Sequence, residues 1–387
     1  MFKHNINNSK TYKSILKKKN VIVFIFSIVL YIYLSSGMTY VPVEELGIIA
    51  GMGIDIQNTS SEAVEYAVPL SVYNYTEGSV TYNLVHNGMA STIGKAQENR
   101  QLKFNKKFIM GLEKVVIISE AAATYSIRPR LEIFFTSPNI NDTALTAICK
   151  GKSEDMLKLN IKGYPSSSDY IEGMIRHATD LNFFSDNYKV MDMYVRVDAE
   201  GRSLVLPYIE VDDNTPMITG MALFDKDKMK VKIGINDIKP LNLLRENNVR
   251  GNLNLQKNPD EYIDFYCTSK RKVKCEKINN KYNFSVDLSI IGNVVENSLY
   301  INMQGDSKIK EKFEKDMAKA TEKMCMDFIG KMQSQYKLDA IELGRVAAAT
   351  LGRGTGINWN DVICNPDLTN IKVNVKVKVD NMGRGDY

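Results

Sequence analysis

The longest uninterrupted apolar stretch runs from Val21 to Met38 without a charged residue. As a helix rising 1.5 Å per residue it spans about 27 Å, close to the hydrocarbon thickness of a bilayer. Beyond it the pattern becomes periodic. Residues 46–57 (LGIIAGMGIDIQ) are apolar, are broken by three glycines and end near Asp55. Tyr66, Val68, Leu70 and Val72 recur at every second position, the period of a strand. STIGKAQENRQL (91–102) predicts a short helix, and VVIIS (115–119) a strand buried on both faces. Helix-then-strand signals follow around Leu131–Phe135 and Ala144–Cys149. In YPSSSDYIEGMIRHA (164–178), Asp169 and Glu172 have the spacing of a capping box. SLVLPYIEV then reads as a strand leading into VDDNTP (211–216), a turn-rich stretch where a domain boundary is placed.

The second half is dominated by alternation. ITGMALFDKDKMKVKIGI predicts a hairpin turning at Asp225–Lys228. Strands are expected at 261–268, 271–278 and 282–292. Between 306 and 336, Ile309, Phe313, Met317, Ala320, Met324, Phe328, Met332 and Tyr336 step by three or four, which predicts one long helix with an apolar stripe. In the last strand, 370–380, Ile371, Val373, Val375, Val377 and Val379 alternate with polar residues. The whole predicts an α+β protein. An N-terminal membrane helix (21–38) follows a basic tail (1–20). Two or three exported domains of mixed or antiparallel sheets packed with helices come next: a region at 44–215, with a possible split near 150–165, and a domain at 216–387.

Charge sharpens this layout. The chain carries 50 Lys+Arg and 45 Asp+Glu, a net of +5. Six lysines lie in residues 1–38, before the first acid at Glu44, leaving 44 positive against 45 negative residues and a net of −1. The basicity therefore belongs to the topogenic segment, and nothing in the remainder suggests a nucleic-acid footprint. Lysines flank only the N-terminal side of the apolar run, which puts residues 1–20 in the cytoplasm and the bulk outside. Two fates are open to the run: retention as an anchor, which its 18-residue length favours, or cleavage after Gly37, where Ser35 and Gly37 offer small residues. Lipidation at Met38 is excluded, because a thioether link needs a cysteine thiol and none occurs before Cys149.

Little catalytic chemistry is legible. Of three histidines, His4 lies in the basic tail, while His86 and His177 lack motif partners and read as structural or exposed. GMGID lacks the third glycine of a dinucleotide fingerprint, and GRGTG (352–356) lacks the Lys-Ser/Thr of a P-loop and reads as a flexible turn. Asp212 and Asp213 point to opposite faces of an extended chain. Glu44 and Glu45 mark the exit from the apolar run. The methionines of 309–336 read as core rather than as a partner groove. Cysteines 149, 267, 275, 325 and 364 form no CxxC. Cys267 and Cys275 have a spacing that would let them face each other across a hairpin and bond outside the cell, but five buried thiols is the favoured reading. No catalytic, cofactor or metal residue is assigned.

Several stretches, in this order, resemble the C subunit of bacterial spore germinant receptors, the Ger(x)C family. They are EELGIIAGMGIDI, TIGKAQENRQLKFNKKFIMGLEKVVIISEAAA, RPRLEIFFTSPNINDTALTAICKGKSEDML, LPYIEV with ITGMALFDKDKM, and NWNDVICNPDLTNIKVNVKVKVDNMG. The similarity runs from about Glu44 to Gly383. It implies a non-enzymatic subunit on the outer face of the spore inner membrane, working with a polytopic A subunit and a transporter-like B subunit. The family's lipid-modified cysteine is Met38 here, so the apolar helix is its natural substitute: a single acyl chain anchors only marginally, whereas a spanning helix is effectively permanent. No residue is assigned to germinant contact. Two other readings stay open at this level, a membrane-anchored solute-binding protein and an exported hydrolase.

Overall fold

The computed structural model describes residues 6–35, 42, 45–58, 64–74, 82–136, 139–354 and 356–381. The chain divides into two units, Met1–Leu46 and Gly47–Tyr387. The first holds α1 (Ile6–Ser35), which includes much of the basic tail. Its segment Lys18–Ser35 is long and apolar enough to cross a membrane, with none of it buried. Residues 36–41, and with them the Gly37–Met38 junction, lie outside the described residues, as does Glu44.

The second unit contains two sheets. The larger has eleven strands: β1 (Leu46–Asn58), β2 (Val64–Ala67), β3 (Leu70–Asn74), β4 (Tyr82–His86), β5 (Met89–Ala90), β6 (Lys107–Ile109), β7 (Val115–Ser119), β8 (Leu145–Cys149), β9 (Val205–Asp212), β10 (Thr215–Asp225) and β11 (Lys228–Gly234). At its centre β1, β7, β8 and β9 run parallel, and the hairpin β10–β11 continues the sheet antiparallel to β9. The continuous apolar character of VVIIS and LTAIC follows, since helices cover both faces of a parallel sheet and every residue of β7 and β8 is buried.

The glycines of β1 serve this packing. A Cβ on Gly51 would lie 2.2 Å from Ser168 Oγ, and one on Gly53 2.3 Å from Ser153 Oγ. Bare backbone at these positions lets the first turns of α5 (Ser153–Lys158) and α6 (Ser167–Leu181) approach the strand. Asp55, buried at the end of the run, accepts from Ser153 N at 2.7 Å and Glu154 N at 3.1 Å. Burial raises its pKa, and the two amides oppose the rise.

Several expectations change locally. The strand predicted through Tyr66 and Val72 is two strands, interrupted at Val68–Pro69, because Pro69 has no amide to donate. Helix α6 is capped by Ser166, whose Oγ accepts from Ser168 N at 3.0 Å. Asp169 instead accepts from Tyr73 Oη at 2.7 Å and Lys114 Nζ at 2.6 Å.

The smaller sheet runs β12 (Val249–Asn258), β13 (Glu261–Ile278), β14 (Lys281–Asn297) and β15 (Thr369–Asn381). The first three are antiparallel, but β15 is parallel to β14, because the intervening chain crosses over through α9 (Ser307–Lys331) and two short helices. The strands expected at 261–268 and 271–278 are one 18-residue strand. Cys267 and Cys275 therefore sit eight residues apart on a single strand, opposite Gly292 and Phe284, and cannot meet. All five cysteines are free thiols, four of them buried and Cys364 half-buried.

Helix α9 packs on one face of this sheet, with Phe313 edge-on to Phe265 at 5.5 Å. Its buried line is Phe313, Met317, Thr321, Cys325, Phe328 and Ile329, so Thr321 and Cys325 occupy the places expected for Ala320 and Met324. Thr321 tolerates burial by donating its hydroxyl to Met317 O at 2.8 Å. A single hydrophobic core spans both sheets.

Candidate functional site

The site with the densest polar chemistry lies where the two sheets meet. Helix α7 (Val190–Asp198) delivers the chain to a loop at 199–203 that runs against α10 (Leu343–Leu351) and α11 (Trp359–Ile363). Gly201 sits at φ +67°, and a Cβ there would lie 2.2 Å from Gly344 C and 2.3 Å from Arg345 N. Only glycine meets both demands. Gly344 in turn lies under Trp359, whose Cβ would be 2.5 Å from an added Cβ. Trp359 Nε1 donates to Glu200 Oε1 at 3.2 Å, and Gly354 N donates to the other carboxylate oxygen at 2.7 Å. The indole packs edge-on to Tyr282 at 5.6 Å.

Behind this loop lies a buried charge cluster. Arg245, the last residue of α8 (Ile238–Arg245), donates to Ser203 O (2.6 Å), Ser203 Oγ (3.1 Å), Ala340 O (2.6 Å), Glu342 Oε1 (3.0 Å) and Glu246 Oε1 (3.1 Å). Glu342 also faces Arg196 at 3.6 Å and Arg345 at 3.3 Å. Burial works against its charged form, yet Arg245, Arg196, Arg202 and Arg345 together hold its carboxyl below the usual range. Burial likewise opposes the charge on Arg245, and Glu342 and Glu246 outweigh it. Glu342 adopts φ +56°, a left-handed conformation costing about 1–2 kcal/mol, which its guanidinium partners hold in place.

Asp339 completes the joint. Its carboxylate accepts from Leu343 N at 3.0 Å and Gly344 N at 2.6 Å, capping α10. Complete burial pushes its pKa up to about 6. Arg271 reaches over from β13 to donate to Ile341 O at 2.8 Å, and burial pulls its pKa down to about 10. Asn360 accepts from Asp339 N at 3.0 Å and donates to Asp225 Oδ1 at 3.1 Å, tying the β10–β11 hairpin to α11.

Over this joint opens a cleft of about 340 Å³, lined among others by Glu200, Arg202, Asp225, Asn358 and Trp359. Chemically the arrangement holds and orients. Asp339 lines the cleft while capping a helix with both carboxylate oxygens, and Glu342 is ringed by guanidinium groups.

The residues singled out in the sequence lie elsewhere. His86 is half-buried, its ring 4.2 Å from Phe104, with burial and then Arg100 lowering its pKa. His177 is exposed beside Asp180 at 3.5 Å. Asp212 ends β9, and Asp213 (φ +44°) begins the β9–β10 turn. The GRGTG stretch does reach the site: Gly352, Gly354 and Gly356 have positive φ, Gly354 is tied to Glu200, and Gly356 lines the cleft. Among the described residues no group of three or more His, Cys, Asp and Glu side chains is placed to hold a metal ion. Sequence reasoning missed Arg245, Glu342 and Asp339. The one available signal was a run of charged residues inside apolar segments (LLRE, LDAIELGR) that demanded partners.

Comparison with known proteins bears on both halves. Residues 39–211 match the family described as spore germination protein N-terminal domain, and residues 219–383 match spore germination B3/GerAC like, C-terminal. The chain is 25% identical over 262 residues to the spore germination protein GerQC of Bacillus cereus, covering 65% of this chain and 68% of that one. Its fold is similar to that of the crystal structure of the GerBC protein, with a TM-score of 0.54 at 13% identity, covering 85% of this chain and 97% of that one. With both segments matched in order and the fold shared, this chain belongs to the Ger(x)C family, the C subunits of spore germinant receptors.

Proposed function

We propose that this chain is a non-enzymatic subunit of a nutrient germinant receptor, held on the outer face of the spore inner membrane by α1, and that it works with polytopic A and B subunits. The observation that carries the reading is the union in one chain of an uncharged Val21–Met38 run and two germination-family segments. The lysines preceding the run favour a cytoplasmic N-terminus. We take the family segments as the two exported regions, meeting at the β9–β10 turn near residues 212–215. The joint around Arg245 suits such a subunit: it fastens the two regions together without leaving a reactive group exposed. Affinity capture of the full chain from detergent-solubilised spore membranes tests the proposal. Recovery of two integral-membrane partners is expected, and recovery of the chain alone under conditions that keep membrane complexes intact would count against it.

The cleft supports a second reading, direct capture of a small germinant. Its volume lies in the range of small-molecule sites, and Glu200, Arg202 and Asp225 offer both charge signs. Calorimetric titration of the purified full chain with each of the common amino acids tests it. Saturable heat abolished by Trp359→Ala in a folded variant is expected, and no heat with any of them would remove this reading.

A further inference from the structure

The face of the smaller sheet turned away from α9 has an unusual composition. Strand register aligns its outward residues in rows: Thr268–Ile291–Lys378, Lys270–Ser289–Lys376, Lys272–Asp287–Asn374 and Lys274–Ser285–Lys372. All six lysines are exposed. None makes an ion pair among the described residues. The rows' single carboxylate, Asp287, is engaged by Asn374 Nδ2 at 2.7 Å. With rows about 7 Å apart and strands about 5 Å apart, six positive charges share a patch of roughly 20 by 10 Å. Glu276, the cross-strand pair Asp264 and Glu296, and Asp380 flank the patch, and at the β15 edge Glu311 and Glu314 of α9 line a cleft with Lys376 and Lys378.

Folding does not require this. Like charges brought together on one face destabilise it, and the chain beyond residue 38 is close to neutral. Lysines on an edge strand are a known defence against edge pairing, which accounts for Lys372, Lys376 and Lys378 on β15. The opposite margin is an edge as well, because β12 pairs with β13 only as far as Ser269, so Lys270, Lys272 and Lys274 guard it in the same way; edge defence does not account for Ile291, left exposed on β14 between the two columns.

We infer that this face docks onto an anionic lipid surface. Specific protein interfaces are depleted in lysine and enriched in Tyr, Trp and Arg, and their hot spots fill pockets. Here the charges are flexible ammonium heads on an open sheet, which suits diffuse phosphate headgroups rather than a partner with fixed geometry. Ile291, 45% exposed in the first row, supplies an apolar contact within the patch. Ten residues of sequence separate Ser35 from Leu46, so a bilayer around α1 would present lipid at high effective concentration. The inference rests on the proposed span of α1 but not on the germination role.

The test uses the full chain in lipid nanodiscs, with a fluorophore on Ser289→Cys and a quencher on the lipid headgroups. Discs contain phosphatidylcholine alone or with phosphatidylglycerol added. Quenching is expected only with phosphatidylglycerol, and it should vanish near 0.5 M salt, roughly where screening shortens to a few ångströms. Each lysine near an anionic leaflet strengthens association about fivefold. The K270Q/K274Q/K372Q/K376Q variant should therefore lower the docked-to-undocked ratio at least tenfold. Equal quenching in both discs, or none with phosphatidylglycerol, overturns the inference whether or not the variant folds. Quenching that requires an added spore protein overturns it in favour of a protein partner. Because the readout is lipid contact by the purified chain, its failure is distinct from a failure of the germination reading.

Discussion

Replacing Arg245 with Met probes the joint most sharply. The substitution keeps a similar volume while removing five hydrogen bonds that reach Ser203 before β9, Ala340 and Glu342 after α9, and Glu246 beside it. Two of these are ion pairs, in which Glu342 and Glu246 are themselves nearly buried. Glu342 would keep Arg196 and Arg345, so it would not be wholly uncompensated. Two buried carbonyls, Ser203 O and Ala340 O, would each lose a charged donor, at about 1–3 kcal/mol per unsatisfied group. Breaking one partner of a buried ion pair costs about 3–5 kcal/mol, and the same range is expected here. The assay is urea unfolding of the full chain in mild detergent. A cycle with Glu342→Gln should show coupling of about 1–3 kcal/mol. A loss below about 1 kcal/mol, the size of an exposed pair, would refute the view that this cluster fastens the two halves.

Other outcomes follow from the same geometry. Gly201→Ala puts a Cβ into the α10 backbone at positive φ and should cost about 2–4 kcal/mol, read as a lowered melting temperature; an unchanged melt would mean the loop does not sit against α10. Asp339 has a folded pKa of about 6 against 3.8 unfolded, so the folded state binds the extra proton between these values. Its contribution to stability is fully present below 3.8 and is lost as pH rises through 6, a change of about 3 kcal/mol. The wild-type stability profile should therefore fall relative to that of Asp339→Asn across this window, and parallel profiles would contradict the burial argument. Alkylation of the unfolded, unreduced protein should modify all five cysteines. In the native state burial, which pushes Cys267 up to about 12 and Cys275 up to about 11, should leave them slow; an intact Cys267–Cys275 disulfide in a mass spectrum would overturn the single-strand register.

How much of this was legible in the sequence depended on the range of the interaction. VVIIS, the Asp225–Lys228 turn and the alternation through Tyr282–Ile290 correspond to β7, the β10–β11 hairpin and β14, because period and turn chemistry are local. The unbroken β13 was not legible, since the polar Thr268-Ser269-Lys270 resembles a turn and only pairing with β12 and β14 keeps it extended. The parallel placement of β15 depends on a crossover that periodicity cannot encode. Stepping along α9 by side-chain hydrophobicity favoured Ala320 and Met324 over Thr321 and Cys325, because a self-satisfied threonine hydroxyl looks polar in sequence. The joint joins residues 196–203, 245, 271 and 339–360, with contacts such as Trp359 to Glu200 spanning 159 positions, so nothing short of the fold brings them together. The glycines of GMGID and GRGTG were visible but not their purpose: Gly51 and Gly53 admit Ser168 and Ser153 from distant helices, whereas Gly352, Gly354 and Gly356 hold a backbone of positive φ.

The central claim is that this chain is a working subunit of a germinant receptor. The most direct measurement is nutrient-triggered germination of spores carrying a clean deletion of it, in a background without a redundant receptor and with the full chain restored as control. The account predicts that germination is lost on deletion and returns with the restored chain. Normal germination of the deletion spores would contradict it.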